Sequence, residues 1–354
     1  MRSIQRQVDI ALAGAGYLAQ RLASDGREVG IVFTVDGRHP VAANKVVIAG
    51  LQLKGKTILA WQLFIGFDVG GTHIKHGVID ENGKELTSDE YDTPEDANTF
   101  KEKWKNVVEE YRKENDIVGI GVSFPGHINH HTGEAAKAGA LEYLDGENLC
   151  ELFAGLTDLP VTVENDANCA ALGERWQGAG KDYEHFVCIT LGTGIGGGIV
   201  MEGDLYRGSH YRAGEFGVLP VGDKGEPMHE VASASGLMKA CSRALALSED
   251  EMPHGEELFK RMESDVHLRE AIEAWAHFLS RGVYSVISMF DPQAVLIGGG
   301  ISEQEKIYLL LDKYLQRFEE WEALKVPILP CELGNQAGRL GAVWLAKQRL
   351  ARHA

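Results

Sequence analysis

Glu164, Asn165 and Asp166 follow the short apolar run Val161-Thr162-Val163 directly, and helical spacing begins at Ala167 and runs to Gln177. A strand that ends by delivering acid, amide and acid together can do chemistry. Asp166 could take the proton of an alcohol attacking a phosphoryl group, while Asn165 holds a neighbouring hydroxyl. Asn and Asp are also favoured helix N-caps, so these residues alone leave base and cap both open.

Two glycine turns elsewhere bear on that choice. In "DVGGT", Gly70 and Gly71 permit a tight turn that turns backbone N–H groups toward a ligand, and Thr72 adds a hydroxyl. Asp68 at the strand end could hold Mg²⁺ through water, with Lys75 adding positive charge. In "LGTGIGGG", Gly192, Thr193 and Gly194 form a second such turn. It lacks the GKS or GKT of a Walker loop, and a strand follows it where a dinucleotide motif needs a helix. Each turn alone could be an ordinary hairpin. Two of them, each carrying a Thr, fit a clamp around a triphosphate. A third cluster around Gly299 could admit a flat adenine or simply turn the chain from strand to helix.

Glu215, between glycines in "YRAGEFG", and Glu230, in "MHEVASASG", are surface charges or a carboxylate pair for vicinal hydroxyls. His73, His76, His127, His130 and His131 lack a cysteine at ligand spacing and read as solvated or core histidines. The acidic run at 248–257 reads as a solvated loop.

The elements that must position these groups alternate strand and helix, which predicts an α/β fold with covered sheets. "LFIGFDVGGTHIKHGVID" is strand, turn, strand; residues 97–115 carry Phe100, Trp104, Val107, Val108 and Tyr111 on one helical face; "IVGIGVSF" is a buried strand. The pattern restarts with "HFVCITLGTGIGGGIVMEGDL", then a long amphipathic stretch from Leu268 to Phe290, the buried strand "AVLIGGG", and a last helix from Ala337. This repetition predicts two lobes about a central cleft: residues 63–168, completed by 335–354, and residues 169–334.

Residues 1–62 differ. They carry eight Lys/Arg against four Asp/Glu, leaving 27 against 48 for the rest of a chain of net charge −17. Residues 10–26 could form a helix, and "REVGIVFTVDGRHPV" and "KVVIAGLQL" look like strands. An appended module, a start foreign to the native chain and an extra edge of the main fold all fit this segment. The acidity argues against nucleic acid or anionic membranes as partners. No apolar run reaches 18 residues and no secretory signal is evident, so a cytoplasmic protein is expected. Five scattered cysteines support neither a disulfide framework nor a cysteine-built zinc site.

Taken together, "FDVGGTHIKHGVID", "SFPG", "VENDANCAALGE", "LGTGIGGGIV", "RAGEFG" and "LIGGG" resemble, in order and spacing, the ROK family of sugar kinases. The resemblance covers about residues 63–350, and "VENDANCAALGERWQG", "YRAGEFGVL", "MFDPQAVLIGGG" and "NQAGRLGAV" look especially like its β-glucoside kinases. It implies the two-lobed actin/hexokinase-like (ribonuclease H-like) fold, ATP and Mg²⁺ as cofactors, and a homodimer. It also implies phosphorylation at the 6-hydroxyl of a glucosyl sugar, with glucokinase and N-acetylmannosamine kinase as alternatives. By the resemblance Asp166 is the base and Asn165, Glu215, Glu230 and Gly126 hold the sugar. Asp68, Gly70, Gly71, Thr72, Gly192, Thr193 and Gly194 face ATP-Mg. A histidine and a cysteine cluster that bind zinc in many members are replaced by Val218 and "VGDKGEPMHE", so zinc is not expected. An apolar Val218 would suit a β-linked aglycone. Some members are DNA-binding regulators; the basic segment favours that alternative, while its strand patterns and lack of a recognition helix oppose it.

Overall fold

A computed structural model describes residues 29–35, 46–53, 56–58, 62–129, 132–248, 251–253 and 255–353. The chain divides into residues 1–62 and 63–354. In the first unit β1 (Val29–Val35), β2 (Val46–Leu53) and β3 (Lys56–Ile58) form an antiparallel sheet in that order, in line with the two predicted strands. The helix expected over 10–26 lies outside the described residues, as do His130 and His131.

The second unit holds two five-stranded mixed sheets. The first is built from β4 (Leu63–Val69), β5 (His73–Asp80), β6 (Glu85–Asp92), β7 (Ile117–Phe124) and β10 (Val161–Asn165), in the order β10-β7-β4-β5-β6. Strands β4, β7 and β10 run parallel. The first two are apolar nearly throughout because both faces are covered. On one face lies α1 (Ala97–Glu114), whose Trp104 stacks on Phe67 at 5.2 Å. On the other lies α5 (Ala337–His353), which seals Phe64 and Ile79 with Leu340, Val343 and Ala346. Between β7 and β10 the chain makes a short pair, β8 (His127–Ile128) and β9 (Ala135–Lys137).

The second sheet runs β13-β12-β11-β14-β15: β11 (Phe186–Leu191), β12 (Ile195–Met201), β13 (Asp204–Leu205), β14 (Ala294–Gly298) and β15 (Ile328–Pro330). One face packs on α3 (Ala234–Leu245) and α4 (Val266–Phe290) through Trp275, Leu279 and Val283. The other carries α2 (Asp166–Gln177), the helix that begins at the tip of β10.

Helices α2 and α5 touch backbone to backbone. A Cβ on Gly341 would stand 1.8 Å from the Cys169 carbonyl oxygen, and one on Gly173 would stand 2.3 Å from that of Ala337. The contact is tied further by Glu174, which is fully buried and accepts N–H bonds from Ala179, Glu332 and Leu333 at 2.8, 3.1 and 2.9 Å. Three donors replace the hydration this carboxylate loses. The edge strand β6, exposed along most of its length, has no apolar alternation and leaves no periodic trace in the sequence. Because no side chain fits at the helix crossing, Gly341→Val should destabilise the fold by about 1–3 kcal/mol or more. A thermal melt unchanged from wild type would contradict the crossing.

Candidate active site

The strands of both sheets point the predicted residues at one place. Asp68 ends β4, Gly126 follows β7, and Asn165 ends β10; in the second sheet Gly192–Gly194 follow β11 and Gly299 follows β14. Carboxyl ends of parallel strands are where α/β sheets leave a crevice for ligands.

Of the two candidates for the cap, Asn165 takes that task. It is the N-cap of α2: its Oδ1 accepts the Asn168 N–H at 3.1 Å. Its Nδ2 donates to the Gly126 carbonyl at 2.8 Å and to Asp166 Oδ1 at 2.9 Å. Asp166 therefore occupies the first helical position, and its Oδ1 also takes the Ala167 N–H at 2.8 Å. One oxygen is fixed by two donors while the other is left to the hollow. Gly126 has φ +94°, and a Cβ there would collide with the Lys137 carbonyl at 1.9 Å, so only glycine lets its carbonyl meet Asn165.

Asp166 faces open space, yet protein rings it on most sides. Burial pushes its pKa from 3.8 up to about 6, aided by the negative charges of Asp68 and Glu215 and opposed by the Ala167 and Asn165 hydrogen bonds. Burial likewise raises Asp68, against the Ser123 hydroxyl at 2.7 Å and the charges of Lys75 and Arg339. Lys75 pairs with Asp68 across β4 and β5.

Two hollows meet here. One, of about 280 Å³, is walled by Asp68, Gly70, Ser302, Asn335 and Gly338. The other, of about 450 Å³, takes in Gly126, His127, Asn165, Gly192–Gly194, Tyr211 and Glu215. Asp166, Ala167, Thr190 and Gly299 belong to both walls, so Asp166 stands at the junction. Gly71 and Thr72 sit exposed at the β4–β5 turn, outside both walls. Glu230 is exposed on the short helix Met228–Val231 and joins neither wall.

The glycines of "GIGGG" have a further task. Cβ atoms on Gly196 and Gly198 would meet Ala167 and Ala171 of α2 at 2.9 and 2.5 Å. One on Gly197 would meet the Phe216 ring at 2.3 Å. Strand β12 is thus thin enough to carry α2 on one face and the loop holding Glu215 on the other.

Sequence reasoning passed over His127, whose Nε2 lies 3.1 Å from Glu215 Oε1 in the wall of the larger hollow. Its position directly after "SFPG", at the mouth of β7, was the available signal. His76, by contrast, is a core residue bonded to the Tyr111 hydroxyl at 2.8 Å. Burial lowers its pKa. Ser123, Tyr211 and Ser302 also went unforeseen, as isolated polar residues without a pattern.

The raised Asp166 pKa has a consequence for stability. The folded state holds this proton more tightly than the unfolded chain, so the associated stability is complete below pH ~4 and is lost as pH rises to about 6. Asp166→Asn should therefore melt higher than wild type at pH 7.5 and gain less at pH 4. Equal differences at both pH values would exclude a raised pKa.

Residues 64–349 match the model of the ROK family. The β-glucoside kinase of Listeria monocytogenes is 35% identical over 295 residues, 81% of this chain and 98% of that protein. Among solved structures, a ROK family glucokinase from Streptomyces griseus, in complex with glucose and AMPPNP, is 31% identical and superposes with a TM-score of 0.69 over 81% of this chain and 99% of its own. A ROK family protein from Streptococcus pneumoniae in complex with sucrose is 27% identical, with a TM-score of 0.73 over 82% and 100%. These likenesses extend over both sheets and bear out the expected α/β fold. Matched by the family's model over most of its length and by a relative 35% identical across 98% of that protein, this chain belongs to the ROK family.

Proposed function

We propose that this protein transfers the γ-phosphate of ATP to the 6-hydroxyl of a β-linked glucosyl sugar such as cellobiose. That it is an ATP-dependent carbohydrate kinase follows from its family and from kinases matched over nearly their whole length. The observation that carries the finer reading is the position of Asp166, shared by two hollows and held by Asn165 and Ala167 with one oxygen free. A base so placed can meet an acceptor hydroxyl from one hollow in line with a phosphoryl group from the other.

In this reading the sugar occupies the larger hollow, against Asn165, Glu215 and the Gly126 turn, with Glu230 beyond its rim. The phosphates lie along Gly192–Gly194 and the Gly70–Thr72 turn, Lys75 adds charge, and the adenine lies past Gly299. Asp68 suits Mg²⁺: it offers one carboxylate, beside space for phosphates and water, which is how that ion is usually held. Bound there, the ion would neutralise phosphate charge. Asp166 accepts the hydroxyl proton as the new P–O bond forms, and its raised pKa suits that task near neutrality.

A β-glucoside is favoured by the Listeria monocytogenes relative and by Val218, which is 64% exposed three residues after Glu215. The glucokinase from Streptomyces griseus supports free glucose as the second reading. The test is ADP release with cellobiose, arbutin, glucose and N-acetylmannosamine. Cellobiose and arbutin should turn over, and Asp166→Asn should lower kcat by about 10²- to 10⁴-fold. Turnover on free glucose alone would overturn the β-glucoside assignment, and a fully active variant would overturn the base. His127→Gln should raise KM for the sugar while leaving kcat nearly unchanged, since it removes a partner of Glu215 in both ground and transition states.

A further inference from the structure

A third hollow, of about 620 Å³, lies away from the walls just described and is bounded by Arg207, Trp344, Gln348, Arg349 and Arg352, with Asp204 at its edge. Three guanidinium groups around one cavity stand out in a chain with 52 acidic and 35 basic residues. Two of them have no carboxylate partner among the described residues. Arg349 donates only to the Val161 carbonyl, at 3.4 Å, and Arg352 makes no ion pair. Arg207 spends its Nε on Glu164 at 2.6 Å, which leaves the two terminal nitrogens of its fork. Planar forks of this kind match the oxygens of a phosphate better than a point charge does. The cavity is larger than inorganic phosphate needs and falls in the range for small organic ligands. Trp344 supplies an aromatic surface in the same wall, suited to the apolar face of a sugar ring.

We propose that this hollow binds a phosphorylated sugar, with the phosphate on the arginines and the ring against Trp344, and that its occupancy is felt in the catalytic cleft. The link is Glu164. Its Oε2 holds Arg207, while its Oε1 accepts the Asn165 N–H at 2.9 Å and the Asn168 amide at 3.0 Å. One buried carboxylate therefore braces both the rear arginine and the N-cap that aims Asp166. The backbone carbonyl of Arg207 also accepts the Ala213 N–H at 3.2 Å, at the root of the loop that carries Glu215. A phosphate competing for Arg207 would loosen its grip on Glu164 and shift both supports at once.

The test is calorimetric titration of glucose 6-phosphate and of inorganic phosphate into wild type and into an Arg349→Gln, Arg352→Gln double variant. Both substituted residues are exposed and outside the cleft, so the variant should keep the wild-type melt and basal turnover. Wild type should bind the phosphosugar about tenfold more tightly than phosphate, and the double variant should weaken both by about tenfold or more. Undiminished binding in the variant would place the ligand in the cleft and overturn the site. Equal affinity for the two ligands would overturn the phosphosugar assignment. Amide hydrogen exchange at 165–168 should change on adding glucose 6-phosphate to wild type and stay still in the variant; no change in wild type would sever the proposed link. None of these readouts requires that the sugar phosphorylated in the cleft be known.

Discussion

The site depends on one amide side chain. Asn165 caps α2, holds the Gly126 turn and steadies Asp166, three bonds that join two strands of the first sheet to the helix lying on the second. A cap satisfies an otherwise orphaned N–H at the helix start. Here the same side chain that supplies the cap also fixes Asp166 Oδ1. The carboxylate next to it is raised in pKa by burial in the surrounding fold, against the opposing pull of the Asn165 hydrogen bond. The arrangement costs stability at neutral pH, and the burial of α2 against β12 and α5 offsets it.

Much of this was legible from residue order. Strands β4, β7, β11 and β14 carry nearly continuous apolar runs because they are covered on both faces, and such runs survive as local sequence patterns. The polar tips of β4 and β10 stand out because they break those runs. Glu230 and Thr72 lie outside the two hollow walls. Their neighbours resemble site-forming stretches, but whether a side chain lines a hollow depends on the path of the chain around it. Strand β6 was invisible because an exposed edge needs no apolar period, and His127 because its partner, Glu215, lies far away in sequence.

The glycine clusters carry a similar lesson. "GIGGG" reads as a turn that cradles phosphates, and its first residues do border the larger hollow. Gly196–Gly198, however, are needed because α2 and the Glu215 loop lie against the two faces of one strand. Small residues here set the distance between the helix that begins at Asp166 and the loop that carries Glu215. Phosphate geometry and backbone packing place the same demand on the sequence, so the two cannot be told apart without coordinates.

The covering of the first sheet by α5 also bears on how the protein is made. Strands β4 to β10 leave the ribosome long before Leu340, Val343 and Ala346 exist to cover Phe64 and Ile79. Contacts between the two ends of a chain form late, because the loop between them must first be closed. A nascent chain thus waits through the whole synthesis of the second sheet with one face of its first sheet bare. Neither Asp68, whose carboxylate lies against Gly338, nor α2, wedged against Gly341, reaches its final surroundings until the last helix docks. Assembly of the cleft is in this sense a full-length checkpoint: a product truncated before the last helix would carry Asp68, Asn165 and Asp166 and still lack Gly338 and the packing that shapes their surroundings.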